Sequence, residues 1–333
     1  MTRTSKMAMA LTGVALFSGI ALLSQTNLPP LPDIRVFKVD PEKYPEVVRK
    51  VQGQIMVVAG AGSQVSVLPG DSGLLIVDDQ YKEMSPKLLA AIKTISAKPI
   101  RYAINTHMHP DHMGGNEAIA MLGATIFAHD NVRIRLMGGL PPGAAPAPNP
   151  AGGRGGAAPA PTPAIALPVV TFSDPINLHY NGEEIAIVPS PKPSHTDGDA
   201  FIYFKTSDVL AMGDVYTTDY PAINPGNGGT SQNVIDDWNY ALDHFIGPNT
   251  KIVPGHGQIS TRADLIALRD ATIAIRERFR KMVKDGMTLD QVKAARPTKE
   301  FDQRFALENV GHNEIVSTDA WYGIMYNEAK NGQ

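Results

Sequence analysis

The sequence predicts an α/β protein built from two sets of short strands. One set lies before residue 78 and the other after residue 168, and segments with apolar residues at helical spacing follow both sets. With 333 residues, the chain is long enough to bury a substantial core. We therefore expect one main globular domain with additional segments at its two ends.

The first set of strands has the pattern of hairpins, because Gly-rich or polar turns separate short apolar runs. The predicted strands cover 34–39, 54–58, 65–68 and 74–77. Ser85 and Pro86 then predict the start of a helix, with the serine as its cap and the proline at its first position. The following elements are a strand over 102–105, a helix over 116–122, a strand over 124–128 and a helix over 131–137.

The second set of strands is again made of short apolar runs between turn residues. Its predicted members cover 169–172, 176–179, 185–188, 201–204 and 209–212. An irregular segment over 216–230 leads into a helix in which Ile235, Trp238 and Leu242 repeat at helical spacing, so Trp238 is expected in the core.

Helices are predicted for most of the remaining chain. An apolar stripe from Leu265 to Met282 predicts one long helix that packs on the core. Residues 289–327 also have a helical pattern, but the sequence does not indicate what they pack against. Residues 261–333 are therefore predicted to form a C-terminal helical extension.

A low-complexity segment, Gly138–Pro168, interrupts the domain. It consists mainly of Gly, Ala and Pro with hardly any charge beyond Arg154, and it has too little apolar surface to order itself. We expect a flexible insertion. A solvated spacer is the favoured interpretation, and a lid over the site is the alternative.

Residues 1–33 are expected to direct export. Arg3 and Lys6 precede an uncharged apolar stretch over 7–23, and a polar, proline-rich stretch over 25–32 follows. This order is typical of a secretory signal. No clear small-residue cleavage site stands out, so an uncleaved N-terminal membrane anchor is the alternative. Both interpretations predict an exported, periplasmic protein.

Charge and cysteine content exclude several functions. A formal net charge of −3 provides no basic surface for nucleic acid, so we expect a small-molecule substrate and no nucleic-acid partner. The chain has no cysteine, so it forms no disulfide and no thiolate-ligated zinc site. A lipoprotein anchor is excluded for the same reason. The sequence does not indicate an oligomeric state.

One segment carries most of the functional signal. His107, His109, Asp111 and His112 lie within six residues, directly after an apolar run. Imidazole nitrogen and carboxylate oxygen are ligands that zinc accepts, and catalytic zinc sites leave a position open for water. His107 and His109 can share one ion, while Asp111 and His112 fall on the other side of the turn and can hold a second.

Three later segments supply further ligand types. His195 lies in a loop before a predicted strand, Asp214 follows an apolar strand, and His256 ends another strand in the sequence Pro-Gly-His-Gly. The other histidines, which are expected to be structural or exposed, are His129, His179, His244 and His312.

In these motifs the chain resembles the metallo-β-lactamase superfamily. The motifs appear in the family's order over residues 78–257: an acid that ends an early strand, H-x-H-x-D-H, a lone His, Gly-Asp and Gly-His-Gly. The resemblance implies an αββα sandwich over 34–260. It also implies that His107, His109 and His195 bind a first metal, that Asp111, His112 and His256 bind a second, and that Asp214 bridges the two. Asp78 would orient the cluster, although a simple turn acid is about as consistent with the sequence alone.

The expected chemistry is hydrolysis with two Zn²⁺ ions per chain. Two ions that share a water generate a metal-bound hydroxide near neutral pH, and Asp111 would orient it and pass a proton to the leaving group. An aspartate at position 214, where one group of true β-lactamases has cysteine, resembles the thioesterase, lactonase and phosphodiesterase branches. For an exported enzyme we expect a cyclic amide or ester, of the β-lactam or lactone class. The alternatives are a phosphodiesterase or thioesterase, and a mononuclear iron oxidoreductase of the persulfide dioxygenase type.

Overall fold

The computed structural model describes residues 28–142, 144, 162–309 and 312–332. Most of the predicted export segment and the middle of the predicted insertion lie outside these residues. Among the described residues, no helix combines the length and the apolar character needed to cross a bilayer.

The strands of the described residues are short, as the sequence predicts. They are β1 Ile34–Arg35, β2 Val47–Gln52, β3 Ile55–Ala59, β4 Val65–Leu68, β5 Leu74–Val77, β6 Ile100–Ile104, β7 Thr125–His129, β8 Val170–Phe172, β9 Ile176–Tyr180, β10 Glu183–Pro189, β11 Ala200–Phe204, β12 Val209–Ala211, β13 Lys251–Val253 and β14 His312–Asn313.

The α-helices of the same residues lie between and after the strands. They are α1 Ser85–Ile95, α2 Pro110–Met113, α3 Asn116–Met121, α4 Asp130–Leu136, α5 Ser231–His244, α6 Arg262–Lys284, α7 Leu289–Ala295, α8 Asp302–Phe305 and α9 Thr318–Lys330.

Two larger sheets form the centre of the described structure. One runs in the order β2-β3-β4-β5-β6-β7-β8, and the other in the order β13-β12-β11-β10-β9. β5 to β8 pair in parallel, as do β12 and β13, whereas the other neighbours in these two sheets are antiparallel.

Buried side chains divide into layers that match these sheets. One core lies between the sheets, where Leu75 of β5 and Ile202 of β11 are both fully buried. A second core lies between the first sheet and helices α1 and α3, and a third between the second sheet and helices α5, α6 and α9. Because each sheet buries one face against the other and one against helices, the predicted αββα sandwich with C-terminal helices is confirmed.

Some local predictions differ from the structure. β2 is not among the strands predicted from the sequence, because Arg49 and Lys50 interrupt its apolar pattern. It is an edge strand, where charged side chains keep the exposed backbone from pairing with other chains. The predicted strand 34–39 is paired only at Ile34 and Arg35, and its partner is β14 near the C-terminus. Ser85 does not cap α1, because a 3-10 turn over Lys82–Met84 continues directly into the helix.

The end of the predicted insertion is ordered. Residues 164–166 form a 3-10 turn in which Ala166 is buried, and the Ala166 carbonyl accepts a hydrogen bond from the Asn116 side chain. Arg133 donates to the Pro168 carbonyl. The prediction of a flexible segment therefore extends too far at this end, because its last residues are fixed by contacts with α3 and α4 that composition does not show.

Candidate metal centre

The residues of the H-x-H-x-D-H segment lie at the end of a parallel strand pair. β5 and β6 pair with Val77 opposite Ile104, so Asp78 and the segment after Ile104 emerge at the same edge of the sheet. Asp78 has a φ of 63°, a conformation that is uncommon for residues other than glycine and that often marks functional sites. Its backbone N–H donates to the Ile104 carbonyl, which fixes the turn at the end of the strand.

A second parallel pair delivers two more ligand-type residues. β12 and β13 pair with Ala211 opposite Val253, so Asp214 and His256 each follow three residues later at neighbouring positions. Gly255 allows this approach, because a Cβ atom there would overlap Oδ1 of Asp214 and the backbone at residue 213. Close packing therefore explains why a glycine precedes His256.

A first cluster contains His107, His109, His195 and Asp214. One ligand atom from each lies within 4.8 Å of the others. His109 Nδ1 is 3.1 Å from His107 Nε2 and 2.9 Å from His195 Nε2. The structure thus brings together the residues that the sequence assigned to the first metal.

A second cluster contains Asp111, His112 and His256. One ligand atom from each of these residues again lies within 4.8 Å of the others. His256 Nε2 lies 3.1 Å from Asp111 Oδ2, and His112 Nε2 lies 3.9 Å from the same oxygen. These three residues come from α2 and from the loop after β13.

Asp214 lies between the two clusters and presents a different oxygen to each. Its Oδ2 is 3.6 Å from His195 Nε2 and 4.0 Å from His107 Nε2. Its Oδ1 is 3.1 Å from His112 Nε2 and 3.5 Å from His256 Nε2. This arrangement is suitable for a carboxylate that bridges two ions.

The donor set fits divalent metal ions. Within the described residues, His112 Nε2 and Asp214 Oδ1 are buried and lie 3.1 Å apart, but neither has a partner with the geometry of a hydrogen bond, which is costly unless another group binds both. Burial, followed by the neighbouring His195 ring, lowers the pKa of His109 to about 3, so this imidazole is neutral at pH 7. Burial opposes ionisation of Asp214, but His112 and His256 outweigh it and hold the pKa of that carboxyl well below its usual range.

Carboxylates stand behind the histidines of the second cluster. His112 Nδ1 donates to Asp78 Oδ2 at 2.8 Å. His256 Nδ1 lies 3.5 Å from Asp33 Oδ1, a long ionic contact. Partners of this kind fix the orientation of a ligating imidazole and raise its basicity. The structure therefore places Asp78 where an orienting residue would lie and adds Asp33, which the sequence did not reveal.

Neutral groups stand behind the histidines of the first cluster. His107 Nδ1 donates to Thr106 Oγ1 at 3.1 Å, and His195 Nδ1 donates to the Ala222 carbonyl at 3.0 Å. The Asn224 side-chain amide lies 3.0 Å from His109 Nε2. An ion on His109 Nδ1 would leave the hydrogen on Nε2, and Asn224 would then turn its amide oxygen to accept it.

Asp33 also belongs to a buried ion group. Arg35 contacts Asp33 at 2.9 Å and Asp219 at 2.8 Å. Burial alone would raise the pKa of Asp33, but Arg35 and His256 lower it to about 2, so its charge persists beside the second cluster. Asp33 and the buried Leu31 fall inside the predicted export segment 1–33, so the fold includes residues that precede the predicted domain start.

A cavity of about 950 Å³ opens over both clusters. Its lining includes His109, Asp111, His195, Asp214 and His256. Much of the remaining wall comes from residues 35–39, from the loop after Asp214 and from the C-terminal segment. Its apolar members include Ile223, Leu307, Ile315, Val316, Trp321 and Ile324.

The other histidines have no part in either cluster. His129 accepts a hydrogen bond from the Asn131 backbone at the start of α4. His179 and His244 are exposed. The side chain of His312 lies outside the described residues.

Comparison with known proteins identifies the family. The model of the metallo-beta-lactamase superfamily matches residues 71–256. The chain belongs to this superfamily. The matched range contains each residue of the two clusters and confirms the metallo-hydrolase superfamily that the sequence predicted.

Individual members of the superfamily resemble this chain in fold. A metallo-beta-lactamase from Pontibacter korlensis superposes with a TM-score of 0.52 at 18% identity, covering 68% of this chain and 99% of that one. The stereoselective inverting sec-alkylsulfatase from Pseudomonas sp. superposes with a TM-score of 0.56 at 17% identity, covering 75% of this chain and 45% of that one.

One curated relative matches a short part of the sequence. The linear primary-alkylsulfatase of Pseudomonas sp. (strain ATCC 19151) is 42% identical over 53 residues, which is 16% of this chain. The match spans 10% of that relative's length.

Proposed function

We propose that this chain is an exported, dinuclear zinc-dependent hydrolase that opens a cyclic ester or amide of the lactone or β-lactam class. The observation that carries the proposal is Asp214, whose two oxygens face two separate clusters of histidine and carboxylate. A cavity with a largely apolar wall lies directly over this centre, as is common for small-molecule sites.

The two ions would lower the pKa of a water and polarise the substrate oxygen. The chain's own residues hold and orient the reacting groups. Asp111 borders the cavity, and its Oδ2 faces the second cluster. In this proposal Asp111 would hold the second ion through Oδ2, and its other carboxylate oxygen orients the water, accepts its proton and returns it to the leaving oxygen or nitrogen. Water adds to the carbonyl carbon, the C–O or C–N bond of the ring breaks, and the product is the open-chain acid.

An acyclic sulfate ester is the second candidate substrate. The supporting observation is the 42% identity over 53 residues with a linear primary-alkylsulfatase, together with the apolar wall of the cavity. In that case water cleaves the ester to an alcohol and sulfate. Phosphodiesters and thioesters are the remaining ester alternatives.

A substrate panel distinguishes these functions. Zinc-loaded protein would be assayed with a chromogenic β-lactam, a lactone, an alkyl sulfate, a phosphodiester and a thioester. We expect turnover of the β-lactam or lactone that Asp214→Ala abolishes and Asp243→Ala retains, since Asp243 is an exposed acid on α5. Turnover of the alkyl sulfate alone would replace the first candidate by the second. Preparations that bind one iron per chain and consume oxygen with a persulfide would contradict hydrolysis.

A further inference from the structure

We propose that the cavity binds an extended apolar chain of the substrate and that the C-terminal helical extension selects this chain. The inference rests on the proposed function only for the hydrolysis at the two clusters. It specifies the substrate class as an amphiphile, with a polar reactive head at the two clusters and an alkyl or acyl chain along the apolar wall.

The lining of the cavity combines polar and apolar groups. The two clusters contribute imidazole and carboxylate groups. The apolar residues come from the segment 36–39, from the loop after Asp214, which includes Ile223, and from the C-terminal segment, which includes Leu307, Val316 and Ile324. A ligand that fills this space would cover apolar carbon atoms and also meet polar groups.

Outside the two clusters the cavity is lined by the charged side chains of Arg35, Lys38, Lys82 and Glu83. Two of these are engaged by other residues. Arg35 is held between Asp33 and Asp219, and Lys82 contacts Glu117 at 2.7 Å. A strongly charged tail would therefore have to break an existing ion pair to gain a partner at either position. An uncharged chain requires no such exchange.

The apolar wall is held in place before any ligand binds. Trp321 stacks on Tyr220 with ring centroids 4.8 Å apart and an angle of 12° between the planes. Its Nε1 donates to the Pro221 carbonyl at 3.1 Å. A wall fixed in this way loses little conformational freedom on binding, which favours affinity.

Ile324 and Ile315 are among the wall residues that remain accessible. Ile324 of α9 is half-buried, and Ile315 is 36% exposed. Both line the cavity, so their uncovered carbon atoms are available to a chain that extends outward from the clusters. These residues are suitable positions to block or alter the cavity without touching the metal ligands.

Binding without turnover tests the inference. Straight-chain alkanoates from four to twelve carbons, each below its micelle concentration, would be titrated into the zinc-loaded full chain by calorimetry. We expect affinity to rise roughly fourfold for each added methylene until the cavity is filled, and then to level off. Affinity that does not change with chain length would overturn the proposal.

Substitutions at the wall locate the chain. Ile324→Trp should weaken binding of the longest alkanoate by more than about tenfold and leave the shortest unchanged, because the indole would fill the space. Ile273→Trp is the matched control, since Ile273 is an exposed residue of α6. Equal effects of the two substitutions, or no effect of Ile324→Trp, would contradict the assignment.

A second variant covers the case in which Ile324→Trp does not fold. Ile315 lies between β14 and α9, and Ile315→Glu should weaken long-chain binding at least several-fold by placing a charge on the path of the chain. Unchanged long-chain affinity in this variant would also contradict the proposal. Failure of the proposed hydrolysis would be seen only in the substrate panel and would leave these titrations unaffected.

Discussion

The two halves of the metal centre differ in what stands behind their histidines. In the second cluster, His112 and His256 each have a carboxylate at the nitrogen that faces away from the ligands. In the first cluster, the corresponding nitrogens of His107 and His195 meet a hydroxyl and a backbone carbonyl. A negative charge behind an imidazole strengthens it as a metal donor.

This difference indicates which cluster depends on a negative charge next to its histidines. The second cluster is supported by Asp78 and Asp33, whereas the neutral backing of the first cluster orients its rings without adding charge. Asp78 also reaches the first cluster indirectly, because Thr106 Oγ1 accepts from His107 and donates to Asp78 Oδ2 at 2.8 Å. We therefore expect the affinity for the second ion to be more sensitive to loss of a distant charge.

The largest effect is expected for Asp214→Ala, since this residue faces both clusters. The variant should bind at most one ion and lose more than about 10²-fold in rate, because loss of a ligand should exceed the effect of losing an outer partner. Elemental analysis and turnover of the best panel substrate measure both quantities. Two ions and full rate in this variant would remove Asp214 from its proposed position.

Asp33→Asn should selectively weaken the second ion. Affinity for that ion is expected to fall about 10- to 100-fold, because His256 loses the charge behind it, while the first ion remains bound. Competition titrations with a zinc chelator resolve the two affinities.

Asp219→Asn is the matched control for Asp33→Asn. It also removes one negative charge from Arg35, but Asp219 has no contact with His256 among the described residues. Equal loss of second-ion affinity in both variants would show that the Arg35 ion group acts through folding, and not through His256.

Thr106→Val should affect both ions modestly. It removes the hydroxyl between His107 and Asp78 but leaves the Thr106 backbone N–H that donates to Asp78 at 2.7 Å. We expect a loss of several-fold in affinity for the first ion and a smaller loss for the second. The same chelator titrations apply, and a larger loss at the second ion would reverse the proposed roles of the partners.

Asn224→Ala should have the smallest effect. Its side chain orients His109 without contributing charge, so affinity for the first ion should fall by less than it does in Thr106→Val. The second ion should be unaffected. If Asn224→Ala weakened the first ion as strongly as Asp33→Asn weakens the second, the charge of the partner would not be the deciding factor.

The sequence could predict the ligand residues because their signals are local. His107, His109, Asp111 and His112 lie in one short segment, and Asp214 and His256 each follow an apolar strand. The alternation of strands and helices likewise predicted an α/β protein, and the resemblance of the motifs to the superfamily implied its layers. Such patterns depend on periodicity and on neighbours along the chain, which a single sequence contains.

Other features depend on contacts between distant parts of the chain. Asp33 and His256 are separated by more than 200 residues, and nothing around Asp33 resembles a motif. β1 pairs with β14, and the C-terminal segment supplies part of the apolar wall of the cavity, although its own pattern shows only that it is helical. These features follow from tertiary packing, which local propensity does not determine.

The number of ions per chain is the most direct test of a dinuclear centre bridged by Asp214. Zinc would be measured by elemental analysis in the wild-type protein and in Asp214→Ala after equilibration at equal free zinc. We predict two ions per chain in the wild type and at most one in the variant. A single ion in the wild type, or two ions in both proteins, would contradict the bridge.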